Sequence, residues 1–184
     1  MARKVSSWKQ KKIYKIIAPE NFEFQELGTT IANNPEILIG RRVDVSIGEL
    51  TGDKSKQHLK ILFEINNVKD DKAHTQFKAF SVNPAYIRSK IRKGMSKIDY
   101  TGNLKIEDSS IQIKIMAVTH HKIQSSQKRE ISRIMSSILN EHKGSKFNDF
   151  IQSAIFGRLG TEIYQGIKKI CPIRRVEIEQ IKVL

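Results

Sequence analysis

The chain has 184 residues, a length that accommodates one domain or one domain with a small appendage. Its 33 Lys and Arg outnumber its 19 Asp and Glu, for a formal charge of +14, so a polyanion is the expected partner. No apolar run approaches the roughly 18 residues that span a bilayer, and no secretory signal pattern opens the chain. A single cysteine, Cys171, excludes an internal disulfide framework and fits a reducing cytoplasm.

The first segment is basic and lacks acids. The first fifteen residues carry Arg3, Lys4, Lys9, Lys11, Lys12 and Lys15, and residues 1–12, without hydrophobic periodicity, read as an extended arm that folds onto phosphates. Trp8 in this arm is suited either to stacking on an unpaired base or to covering the body's surface. A mitochondrial targeting segment is the rival reading, but the arm is Lys-rich and runs directly into a strand-like stretch.

Strand-like spacing follows over 13–17 and 22–27, on either side of Ala18-Pro19. Residues 41–47 alternate Val43, Val45 and Ile47 against Arg42, Asp44 and Ser46. Residues 58–68 set Leu59, Ile61, Phe63 and Ile65 on one face. In 75–82, Phe77 and Phe80 differ in parity, which predicts a strand covered on both sides or a bulge. Asn83-Pro84 predicts a capped helix start, Gly94 its end, with Tyr86, Ile87 and Ile91 inward and Arg88, Arg92 and Lys93 outward. Residues 98–106 and 110–119 read as a hairpin around Glu107-Asp108-Ser109, with Ile111, Ile113, Ile115 and Ala117 on one face. Many short strands point to a closed or nearly closed β structure.

From residue 127 the period changes. Ile131, Ile134, Met135, Ile138 and Leu139 mark a helix that Gly144 stops. Ser145 is placed to cap a second helix bearing Phe147, Phe150, Ile151, Ala154 and Ile155, broken by Gly157 and Gly160. Thr161 opens a third, with Ile163, Tyr164, Ile167, Ile170 and Cys171 inside and Pro172 closing it. Residues 173–184 form a last strand whose alternation slips between Ile178 and Ile181, which predicts a bulge or an edge there. The expected class is α+β: a β-barrel-like core flanked by helices with a basic arm. A single domain over 13–184 is expected, mainly β to about residue 120 and mainly helical over 125–171.

Beyond the arm, the basic residues fall in three clusters. Arg88, Lys90, Arg92, Lys93 and Lys97 form one. His120, His121, Lys122, Lys128, Arg129 and Arg133 form another, interrupted only by Glu130. Lys168, Lys169, Arg174 and Arg175 form the last. Each alone reads as a solvated face; together, with few interleaved acids, they point to a large polyanion touching several faces. Glycine-rich phosphate loops are absent, and the five histidines show no HxxxH or CxxC spacing. On a strand, His120 and His121 would face opposite ways and not share a metal. Cys171, on an apolar helix face, is placed as a buried small hydrophobe rather than a nucleophile. Asp70-Asp71 and Glu107-Asp108 sit at predicted turns, so neither pair reads as a catalytic dyad. No enzyme, metal or cofactor is expected, although a metal-dependent nuclease built from distant carboxylates stays open.

Three stretches carry a resemblance: KKIYKIIAP at 11–19, LIGRRVDVSIGELTGDKSKQHLKILFEI at 38–65, and SSQKREISRIM at 125–135. Together they resemble the archaeal and eukaryotic small-subunit ribosomal protein family eS-one, also called S-three-A-e, in unbroken order from about residue 8. The resemblance implies a barrel flanked by helices on the small-subunit platform near the messenger exit. Its partners would be ribosomal RNA, neighbouring platform proteins and messenger RNA near that exit, with no membrane or small-molecule substrate. On this reading Arg41 and Arg42 join the arm and the clusters as RNA contacts. The sequence departs from the family at Ile13, where tryptophan is common, and at Glu107-Asp108-Ser109-Ser110, where an acidic–Gly–Tyr turn is common. It also lacks the long C-terminal extension of eukaryotic members and so looks archaeal-like. The alternative reading is a free RNA chaperone or translation factor using the same barrel.

Overall fold

The computed structural model describes residues 11–106 and 109–184. It divides into two compact units, one ending at Lys78 and one running from Ala79 to Leu184. Most of the expected arm, with Arg3, Lys4, Trp8 and Lys9, lies outside the described residues, as does the hairpin tip Glu107-Asp108.

In the unit ending at Lys78, β1 (Lys12–Ile17) pairs antiparallel with β2 (Glu26–Ala32), Tyr14 opposite Thr30 and Ile16 opposite Gly28. The period-2 alternation buries Tyr14 and Ile16 with Ala32, Leu38, Ile65 and Ala73. The expected strand over 22–27 is not formed. Residues Glu20–Phe22 make a 3-10 turn, and Glu23 and Phe24 take positive φ, so extended pairing starts only at Glu26. A second antiparallel pair joins β3 (Arg42–Ser46) to β4 (Leu59–Lys69), with Val45 opposite Ile61 and Val43 opposite Phe63. Between them is a short helix the periodicity does not reveal, α1 (Ile47–Thr51), started by Ser46 Oγ accepting from the Gly48 amide at 3.1 Å. Asp70 and Asp71, both at positive φ, form the two-residue turn into β5 (Lys72–Val82), the conformation that tight hairpins require.

Strand β5 crosses the boundary between the units, and its burial changes parity there. Ala73, Thr75 and Phe77 are buried before it, Phe80 and Val82 after it. The first part runs parallel to β1, with Ile16 opposite Ala73; the last part pairs antiparallel with β8 (Ile173–Val183), with Phe80 opposite Ile181. The mismatched parity of the two phenylalanines is thus a change of partner along one strand.

In the unit from Ala79, β6 (Lys97–Ile106) and β7 (Ser109–Thr119) form the expected hairpin, and β8 lies antiparallel along the other side of β7. Ile111, Ile113, Ile115 and Ala117 are all buried, and so are Met116, Val118 and Thr119, as befits a strand flanked on both sides. The slip in the last strand is a bulge: Lys114 pairs with Gln180 and Ile115 with Ile178, leaving Glu179 extra. The hydrogen-bonded order is β2-β1-β5-β8-β7-β6, with β4 joined to β5 and β3 to β4. The α+β class is as expected, but among the described residues β2, β3 and β6 each pair with one strand, so the strands do not close where a barrel-like closure was anticipated.

Helix α2 (Pro84–Lys90) begins as predicted, Asn83 Oδ1 accepting from the Ala85 amide at 2.9 Å. It ends at Lys90 rather than Gly94, because Ile91 is already extended. Helix α3 (Ser125–Glu141) buries Ile131, Met135 and Leu139. It packs against β6 and α5 (Arg158–Ile167), and α5 packs on β8. A Cβ on Gly166 of α5 would stand 3.0 Å from Ile138 and 3.2 Å from Ile134, so glycine sets the α3–α5 spacing. Helix α4 (Phe147–Ile155) lacks the serine cap: Ser145 Oγ donates to the His142 carbonyl instead. Gly157, at φ 81°, is the real break, and α5 starts at Arg158, three residues before Thr161. Gly160 is therefore inside α5 and buried, and Tyr164, expected inward, is exposed. No described helix is long and apolar enough to cross a membrane.

Candidate nucleic-acid interface

Basic clusters far apart in the sequence meet at one end of the unit from Ala79. The register sets Lys97, the first residue of β6, opposite Val118, and Ile173, the first of β8, opposite Thr119. One sheet edge therefore collects the start of β6, the end of β7 and the start of β8. The segments leading from that edge are the basic ones: 88–93 before β6, 120–122 after β7, and 168–175 around the start of β8.

A buried pair of hydroxyl residues ties these segments together. Thr119 is wholly buried and Ser96 nearly so. Thr119 Oγ1 accepts from the Ser96 amide at 3.0 Å and donates to the His121 carbonyl, while the Thr119 amide donates to the Ser96 carbonyl at 3.0 Å. Ser96 Oγ accepts from the Ile123 amide at 3.2 Å, and the His120 amide donates to the Pro172 carbonyl at 3.1 Å. Buried polar groups are costly unless paired, so this network fixes three loops against one another.

The arginines of β8 are held from outside. Arg175 Nη1 donates to the Tyr86 hydroxyl and to Glu177 Oε1 at 2.9 Å, and Arg174 Nη1 lies 3.4 Å from Met95 Sδ. Lys90 Nζ sits 4.6 Å above the Tyr86 ring, a cation–π distance. Arg88 Nε donates to the Pro84 carbonyl at 3.4 Å, and Arg88 forms no ion pair among the described residues. Arg92, Lys93, His120, His121, Lys122, Lys128 and Arg129 are exposed, with no ion pair among the described residues. Neither Tyr86 nor the Ser96–Thr119 pair is marked by charge or motif; only the end of the β7 alternation at Thr119 hints at a junction.

Other candidate residues are already engaged. Lys15 Nζ pairs with Glu26 Oε2 at 3.1 Å, and Arg133 with Glu130 at 3.7 Å. Lys97 lies 2.9 Å from Asp99 and 4.0 Å from Glu179, which also holds Lys114 at 2.9 Å. The hydrogen bond to Glu179 pushes the Lys114 pKa up. Arg41 Nη1 donates to Thr30 Oγ1 at 3.1 Å and to the Ile31 carbonyl at 3.3 Å, which braces the outer edge of β2. Lys11, Lys12 and Arg42 are exposed in the other unit.

His120 and His121 lie past the end of β7 in a bend, not on the strand, with ring centroids 6.5 Å apart. Among the described residues no three His, Cys, Asp or Glu side chains are grouped to hold a metal ion. Cys171 is buried, and desolvation pushes its thiol pKa up, the reverse of nucleophile activation.

The model of the Ribosomal S3Ae family matches residues 1–184. The chain belongs to this family. It is 41% identical over 180 residues to the small ribosomal subunit protein eS1 of Methanobrevibacter smithii, covering 97% of this chain and 93% of that one. Against the protein of the same name from Haloquadratum walsbyi it is 38% identical over 170 residues, 91% of this chain and 80% of that one. Against that of Methanothermobacter thermautotrophicus it is 36% identical over 180 residues, 97% and 92% of the two chains. Family membership gives the chain a structural ribosomal role and not an enzymatic one. The fixed basic end fits that role, because it presents hydrogen-bond donors and positive charge.

Proposed function

We propose that this chain is a structural protein of the small ribosomal subunit in the cytoplasm and binds small-subunit ribosomal RNA through the basic end around Ser96 and Thr119. The observation that carries the reading is convergence: segments 88–93, 120–122 and 168–175 meet at one sheet edge. Phosphate contacts position a protein on RNA, and a rigid array of cations can fix the geometry of an RNA junction. The family resemblance adds the finer placement, on the platform near the messenger exit, with messenger RNA and platform proteins as neighbours. In the other unit, Ile13 and Ile31 stand opposite each other and are 64% and 43% exposed, an apolar pair suited to a protein neighbour.

Sedimentation of a cell extract through a high-salt sucrose cushion tests the reading. A structural component remains with the small subunit at stoichiometric level. Recovery mainly in the supernatant would favour a free RNA chaperone or translation factor. Crosslinking from Arg41 and Arg42 to messenger RNA in initiating ribosomes tests the placement near the exit.

A further inference from the structure

Helix α4 carries a second feature that the basic end does not use. Its buried face is Phe150, Ile151, Ala154 and Ile155, and its opposite stripe is Asp149, Gln152, Ser153 and then Phe156, at i, i+3, i+4 and i+7. With Arg158 at the start of α5, this stripe lines one depression of about 280 Å³. Phe156 is 60% exposed there. Asp149 and Arg158 line the same depression yet form no ion pair with each other or with any other described residue. Ser153 donates to the Phe150 carbonyl at 2.8 Å, so its hydrogen is already used.

An exposed aromatic face, a free carboxylate, a free amide and a free guanidinium thus share one small site. Ligand pockets generally enclose roughly 300–1,000 Å³, so this one is sized for a single heterocycle. We infer that it receives one unpaired nucleobase of RNA, stacked on Phe156, with its Watson–Crick edge toward Asp149 and Gln152 and its phosphate toward Arg158. Unpaired bases are read in this manner, by stacking on an aromatic ring and by hydrogen bonds to the base edge. The carboxylate selects the base. Guanine offers two adjacent donors, its N1–H and its exocyclic amine, to a carboxylate's two acceptors, whereas uracil offers one N–H flanked by carbonyls that repel the charge. A protein neighbour is the less fitting occupant, because one ring amid polar side chains makes a poor apolar contact.

The inference rests on the RNA-binding reading above, and the test separates the two. Full-length protein is titrated with the ribo-oligonucleotides UUGUU and UUUUU at a salt concentration high enough to weaken phosphate contacts. A fragment of small-subunit ribosomal RNA is titrated in parallel at low salt. The expected result is binding of UUGUU about tenfold tighter than UUUUU, within what one stacked base contributes. Phe156→Ala and Asp149→Asn abolish that preference and leave low-salt binding of the large fragment unchanged. Equal affinity for both oligonucleotides in the wild-type protein, with the large fragment still bound, overturns the base site alone. Failure to bind the large fragment overturns the broader reading instead. If Phe156→Ala keeps the oligonucleotide preference but no longer enters the small subunit, the surface is a protein contact and the inference is wrong. Circular dichroism confirms folding of each variant; both altered side chains are exposed.

Discussion

Thr119 Oγ1 accepts a hydrogen bond from the Ser96 amide at 3.0 Å, and around this buried contact three basic loops are arranged. Thr119→Val keeps the shape and removes the hydroxyl, leaving the Ser96 amide without its acceptor and freeing the His121 carbonyl. An unsatisfied buried group costs about 1–3 kcal/mol, so chemical denaturation is expected to show a loss of that order. RNA affinity falls as well, because the loops lose their common anchor, and Thr119→Ser restores both. Full affinity in a folded Thr119→Val protein would show that the junction does not position the loops.

The Tyr86 hydroxyl restrains Arg175 together with Glu177. Tyr86→Phe is expected to change stability by less than about 1 kcal/mol, since the pair is exposed. RNA binding weakens more than stability does, because a guanidinium free to rotate loses the advantage of a fixed geometry. Parallel thermal melts and filter-binding titrations of the variant and wild type measure the two effects.

Lys114 has a folded-state pKa raised mainly by its hydrogen bond to Glu179. A raised pKa means that the folded state holds this proton more tightly than the unfolded state. Its contribution to stability is complete at neutral pH and is lost as pH climbs through the raised value, above the ordinary lysine range. Lys114→Met removes that alkaline dependence, and unfolding curves collected across alkaline pH detect its disappearance.

Cys171 is buried with its thiol pKa pushed up by desolvation. It is expected to resist a thiol-specific alkylating reagent in the native protein and to react at once when denaturant is added. Rapid labelling of the native chain, followed by mass spectrometry, would contradict its burial.

The local features were readable in the sequence because nearby residues dictate them. Asn83-Pro84 starts α2, the Ile131–Met135–Leu139 stripe faces inward, and the slipped alternation near Ile178 marks the Glu179 bulge. Features set by long-range pairing were not readable. The parity change between Phe77 and Phe80 follows from β5 exchanging β1 for β8 as its neighbour. Gly160 looks like a breaker by type alone, yet it belongs to α5, because the left-handed residue is Gly157. Lys15 and Lys97 look like free cations until Glu26, Asp99 and Glu179 come from other strand positions to meet them. The candidate site was legible only as separate charge clusters, since their meeting depends on the β6–β7–β8 register.

A crosslinking map tests whether these segments meet on one RNA site. A photo-activated group is placed in turn at Lys93, Lys122 and Arg174 and crosslinked within assembled small subunits. All three positions are expected to reach one contiguous stretch or junction of ribosomal RNA. Crosslinks to unrelated RNA helices, or to protein alone, would contradict it.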